Sequence, residues 1–434
     1  MEAPLQGQPR ENDAVRAGLP EAAADRPVWR NRRFLWLLSG FTASIFGDSF
    51  NGIALSLWVL QTTGSAQRMA AVQICTMAIA FVFGSFAGTI ADRMDRRRLM
   101  LLSDWSRCVT AALLGVSLFV VEAPFAVMLV LVSLAMFAGL FYGPSFQAAT
   151  TQLVGASRVQ QASGSIYLFD NVARISGLAL AGVVVSAFGG LAAILTTSAA
   201  YLISSICTLA AGRFSSGERF PAGERSSLER KKPSFLQDWR GGLSYIRRNP
   251  LIRSVVLLSP LLSAFFLTAI MLVQVIAIND WKAGPIEFGL IEMCVPLGYV
   301  TGASFLIALG QRLTRRGRLV FLGLLLLGPM YLLISSLDSP RLAIPFVLLG
   351  GLLFSFCSML AQVILKSEVA SEWQGRVFGT VGAISSVAPS LGLAIASVLA
   401  DRWGAATVLA WESVGLLVVG IAAGMILKPI REYR

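Results

Sequence analysis

Histidine is absent from all 434 residues. That excludes imidazole metal sites and imidazole bases, so any proton chemistry must run through carboxylates. Charge is scarce too: 14% of residues are Asp, Glu, Lys or Arg, against about 25% in soluble domains. The five cysteines (Cys75, Cys108, Cys207, Cys294, Cys357) lie in apolar runs without metal-ligand spacing and read as small buried hydrophobes. No phosphate-binding glycine loop with its lysine is present, so the chain is not expected to hydrolyse ATP. With no catalytic triad or metal signature either, an enzyme is not expected, nor any cofactor. The +12 net charge is not that of a nucleic-acid binder, because no polar stretch is long enough to be a soluble domain.

What the chain has instead is apolarity. Hydrophobic residues make up 55% and mean hydropathy is +0.69, the composition of a polytopic helical membrane protein. Residues 1–33 form a polar tail without the apolar region of a signal peptide, and disorder is expected there. Six apolar stretches follow, near 35–60, 69–91, 99–121, 125–147, 166–188 and onward to about Gly212, the last pair turning at Gly189-Gly190. Each is long enough to cross a bilayer as a helix. A polar loop is expected at 148–164. Residues 213–249 form the one long polar interior segment, with a short amphipathic helix expected at 235–246. Six more stretches lie near 253–279, 286–310, 319–337, 342–364, 377–400 and 405–427. The expected fold is all-α, twelve transmembrane helices in two pseudo-symmetric six-helix bundles (34–212 and 250–427), a linker at 213–249 and a short tail at 428–434.

Charge placement orients this array. With the N-terminus in the cytoplasm, 30 of the 36 Lys and Arg fall on the cytoplasmic side. The outer loops then hold only Arg68, Lys282, Arg341 and Arg402, while Arg107 and Arg174 fall within spans. The positive-inside rule therefore places both termini inside. The halves are also related in sequence: a shift of 219 puts Arg93, Arg96 and Arg97 on Arg312, Arg315 and Arg316, with Gln311 in place of Asp92. Paired halves joined by a basic linker suit a rocking transporter with a central site.

The loop between the second and third spans reads Gly88-Thr89-Ile90-Ala91-Asp92-Arg93-Met94-Asp95-Arg96-Arg97-Arg98. It resembles the signature loop of the major facilitator superfamily, Gly-x-x-x-Asp-Arg/Lys-x-Gly-Arg-Arg/Lys, with Asp95 at the second glycine. The Asp-Arg-x-Asp-Arg-Arg form is similar to that of the bacterial drug-efflux branch, which includes macrolide and siderophore exporters. Gly375-Arg376-Val377-Phe378-Gly379 is a second segment similar to this branch, and the resemblance covers about residues 30–427. One departure is Leu178 in the fifth span, where related antiporters often carry a proline.

The loop would be either a solvated turn that fixes topology or a gate. Gly84, Gly88 and Asp92 recur every fourth residue, stacking two small residues and an acid on one helix face. Close approach of another helix there would let Asp92 accept from that helix's N-terminal amides. The resemblance implies that this partner is the eleventh span, beginning beside Gly375 and Arg376, and that the latch closes the cytoplasmic side.

Asp48 lies mid-span in the first stretch, where an aspartate costs about 2.5–3.5 kcal/mol on insertion scales. It would be either a structural acid bonded to a neighbour or a protonatable acid lining a central cavity. Ser44, Asp48 and Asn51 share one helix face and make a polar stripe. Asp170 with Arg174, and Asp104 with Arg107, have the spacing of intrahelical salt bridges. Arg174, about 13 Å inside by helical rise, would reach an anionic substrate or Asp48, and the Asp104 pair would join the charges of the signature loop. Glu292 and Glu412 are weaker candidates, nearer the outer face.

The expected function is export of a small amphipathic compound (an antibiotic, a siderophore or another metabolite) across a bacterial inner membrane by proton antiport. Asp48, Asp170 and Asp104 are the coupling candidates, and Ser44, Asp48, Asn51 and Arg174 the cavity candidates. The partners expected are the small-molecule substrate, protons and lipid, with no nucleic acid, and the chain is expected to act as a monomer. The alternatives are a lysophospholipid flippase and a non-transporting membrane sensor or scaffold.

Overall fold

A computed structural model of the chain describes residues 28–121, 123–212, 235–310 and 316–431. Among the described residues, eleven helices are long and apolar enough to cross a membrane. One of them crosses twice, which gives twelve crossings.

Helix starts follow local chemistry. The Asn31 side chain accepts from the Arg33 and Phe34 amides and opens α1 (Arg32–Thr63). That helix ends at Gly64, whose φ of 61° suits glycine. Ser65 caps α2 (Ala66–Arg93) and Asp95 caps α3 (Arg96–Phe119), each accepting a backbone amide one turn on. The fourth crossing is α4 (Phe125–Gly139) and α5 (Tyr142–Val154), offset by a turn at Leu140 and Phe141.

The long helix α6 (Val159–Ala210) holds two crossings. At Gly189 the backbone adopts φ 80° and ψ 171°, a region essentially confined to glycine. The arm before it runs with α1, Phe169 meeting Trp29 and Gly177 meeting Ser49. The arm after it runs against α1, Thr197 meeting Gly47 and Ser204 meeting Gly40.

The expected loop at 148–164 is a correction. Helix continues to Val154 and resumes at Val159, leaving only Gly155 and a single 3-10 turn between. Phe146, Ala149, Thr150 and Val154 are buried while Gln147, Thr151 and Gln152 are exposed. The polar residues form the outer face of a helix.

The second half comprises α8 (Pro250–Asn279), α9 (Pro285–Leu309), α10 (Arg316–Ser335), α11 (Pro340–Glu368), α12 (Ser371–Trp403) and α13 (Ala405–Ile426). Helices α9 and α11 touch through Gly298, Gly302 and Gly351, where any Cβ would run into the facing helix. Of the expected linker, 213–234 lies outside the described residues. Its end forms α7 (Phe235–Arg248), packed on α12 through Gly242 and a Tyr245–Trp373 stack with centroids 5.2 Å apart.

The signature loop and both described chain ends lie at one end of the helices, the arginine-rich face. Gly64-Ser65, Gly284, Ser339 and Gly404 mark the opposite end, the far face.

Candidate functional site

Arg107 of α3 is the centre of a buried cluster within the first half. Its Nη2 lies 2.7 Å from Asp104 Oδ1 and donates to Ser44 Oγ at 2.9 Å. Its Nη1 lies 3.6 Å from Asp48 Oδ2. Asp104 is fully buried and also accepts from Ser204 Oγ at 2.7 Å. Tyr201 donates to Asp48 Oδ1, and its ring and that of Tyr142 cover the guanidinium, 4.4 and 5.1 Å from its carbon. One cation thus serves two carboxylates. The difference between the two acids is access: the Asp48 side chain is 41% exposed and the Asp104 side chain 0%.

Asp48 opens onto a cavity of about 510 Å³ between the halves, within the roughly 300–1,000 Å³ range of small-molecule sites. Asn171, Arg174 and Leu178 of α6 form one wall, and Phe266, Glu292 and Tyr299 stand opposite. Phe266 stacks on Phe354 behind it, which fixes its ring as a wall. Arg174 is held by Asp170 at 3.4 Å. The Gln274 side chain accepts from Gln73 of the other half at 3.4 Å.

Toward the far face the halves close over this cavity. Gly182 and Gly289 bring α6 against α9 so tightly that a Cβ on either would meet backbone. Ser390 lies 3.7 Å from the Met77 sulfur, and the first turn of α2 meets the end of α12. Toward the arginine-rich face, no atom of another helix among the described residues lies within 4 Å of where a Cβ would stand on Gly84 or Gly88. Phe81, Phe83 and Phe86 on that stretch of α2 are exposed.

The expected residues are partly brought together. Asp48 and Arg174 line the cavity. Ser44 is a correction: it is 1% exposed and faces Arg107 rather than the cavity. Asn51 is half-buried, its Oδ1 is without a hydrogen-bond partner, and it too lies off the cavity wall. The Asp104–Arg107 pair forms, but its partners are Ser44, Asp48 and Ser204 rather than the signature loop. Within that loop, Arg96 donates to Ala148 O at 3.2 Å and Arg97 to Leu209 O at 3.0 Å, tying it to α5 and α6. Arg93 is exposed. Arg376 stacks over Trp373. The side chain of Asp92, residue Gly375 and the repeat positions 311–315 lie outside what the structure describes. Tyr201, Ser204 and Gln274 were not anticipated. A polar side chain repeated within an apolar span is the one signal they carry, and many helix-packing residues share it.

Twelve crossings around one central cavity, lined by carboxylates and aromatics and closed at one end, define a polytopic membrane transporter rather than an enzyme. The chain belongs to the transmembrane secretion effector family of the major facilitator superfamily, whose family model matches residues 27–432. It is 23% identical to macrolide efflux protein A of Streptococcus pyogenes, over 86% of this chain and 90% of that protein. It is also 23% identical to the multidrug efflux pump Tap of Mycolicibacterium fortuitum, over 93% of this chain and 97% of that one. In fold it is similar to a bacterial homologue of the human lysosomal transporter Spinster, with a TM-score of 0.70 at 13% identity, covering 93% of this chain and 98% of that one.

Proposed function

We propose that this transporter sits in a bacterial cell membrane with both termini in the cytoplasm and exports a small amphipathic compound, acting as a monomer driven by inward proton flow. The 30-to-4 partition of Lys and Arg supports the orientation. The arginine-rich face is then cytoplasmic, and the cavity is open to the side from which cargo is collected. The two bundles, 34–212 and 250–427, rock about it.

The observation that carries the coupling is Arg107 between Asp48 and Asp104. With both acids ionised, one negative charge lacks a full counter-charge in a low-dielectric site. Either a proton or a cationic group on the cargo restores neutrality, and the two compete for Asp48 because it alone opens onto the cavity. Competition for one site exposed alternately to each side is what antiport requires. Glu292 adds a second acid against an aromatic wall, while Asp170 already occupies Arg174. The lining therefore favours a basic, apolar-bodied compound over an anionic one. The names of the two relatives, a macrolide pump and a multidrug pump, are in keeping with that cargo.

On the cytoplasmic side, Gly84 and Gly88 are the face onto which α12 closes, near Gly375 and Arg376, when the cavity turns outward. Asp92 then caps α12 from the end of α2. Asp92→Asn is expected to fold and insert but to slow export.

The test uses purified protein in liposomes with an imposed proton gradient. A macrolide bearing a tertiary amine should move against its gradient, and collapse of the proton gradient should stop it. An analogue without the amine should move several-fold more slowly. Uphill movement that survives collapse of the gradient would contradict the proposal.

A further inference from the structure

We propose that Asp401, at the end of α12, is the positioning residue that holds the far face shut, answering the Asp92 latch at the opposite ends of the same two helices. Its carboxylate takes three hydrogen bonds from the other half: Ser65 Oγ donates at 2.8 Å, the Ala66 amide at 2.7 Å and the Gln67 amide at 3.3 Å. The first amides of a helix have no partner within it. Ser65 serves one of them, accepting from the Arg68 amide at 3.3 Å. Asp401 serves the two before it, so the cap of α2 is completed by a residue of α12.

Position strengthens this contact in two ways. An acid at a helix C-terminus faces the negative end of its own helix dipole, whereas the N-terminus of another helix offers the positive end. Helices α2 and α12 run antiparallel, Ser65 meeting Asp401 and Met77 meeting Ser390. Asp401 therefore leaves an unfavourable field for a favourable one only when the far face is closed. Two of its three partners are also backbone amides, which cannot move without α2. An exposed pair of long side chains gives little because both must be immobilised; here one partner is already fixed by the helix. Asn279 Nδ2 donates to Gly64 O at 2.8 Å beside it, so opening this face breaks several cross-half bonds together.

The inference rests on the alternating-access reading above, but its test reads conformation without cargo or proton gradient, so failed transport and a failed latch are told apart. Spin labels at the exposed Thr62 and Ser336 report the span across the far face in lipid nanodiscs. Asp401→Ala is expected to move the population toward longer distances, changing the open-to-closed ratio roughly tenfold. Asp401→Asn keeps an acceptor without the charge and should fall between, and its difference from wild type should shrink at high salt. Asp92→Asn should shift the ratio the other way, and the double variant should return toward wild type. Distances in Asp401→Ala identical to wild type would overturn the proposal. A shift in Asp401→Ala with none in Asp92→Asn would overturn the pairing of the two latches. Should Asp401→Ala not fold, an Asp401→Asn distribution identical to wild type at low salt would overturn the proposal in its place.

Discussion

Arg107 neutralises Asp104, which has no route to solvent, and so the two stand or fall together. Arg107→Gln leaves a buried carboxylate unpaired, a change that costs about 3–5 kcal/mol where it has been measured. The thermal midpoint in detergent should fall sharply, and adding Asp104→Asn should recover much of the loss. Equal midpoints for the single and double variants would contradict the pairing. Asp48 was legible in the sequence because an acid in the middle of an apolar run stands out. The cluster around it was not, because Ser44 and Ser204 lie 63 and 100 residues from the groups they bind. Hydroxyls in transmembrane helices commonly bond their own backbone. Only the packing of α1 and α3 on α6 distinguishes these two.

Among the elements, the Gly189 hairpin makes α6 two crossings, and its backbone conformation admits little but glycine. Gly189→Ala is expected to cost about 1–3 kcal/mol and to lower folded yield. Gly143→Ala, with open space around its Cβ position, should be close to neutral. Comparable losses at both sites would show that the conformation of Gly189 is not what matters. The turn was readable from adjacent glycines between apolar runs. The helix through 148–164 was not, since Gln, Ser and Thr on an outer helical face have the composition of a loop. The Gly84–Gly88 stripe was readable as a smooth face, yet its partner is not fixed by spacing. Among the described residues nothing lies within 4 Å of where a Cβ would stand on either glycine, whereas the far end of α2 is closed on α12.

For the whole molecule, twelve crossings were legible from apolar run length. Closure of the far face was not, because Asp401 and Ser65 lie 336 residues apart, and an acid at a helix end has the look of any solvated charge. Orientation has a direct check in intact cells: in a cysteine-free background, a cysteine at Thr62 should react with an impermeant reagent and one at Arg247 should not. Labelling at Arg247 would invert the assignment. The central claim is that Asp48 exchanges a proton for cargo, and one comparison in liposomes tests it. Asp48→Asn keeps the size and most of the hydrogen bonding of the side chain. Downhill exchange of cargo, which needs no proton cycle, should persist in this variant, while uphill export driven by an imposed proton gradient should be lost. Uphill export by Asp48→Asn at the wild-type rate would contradict the account.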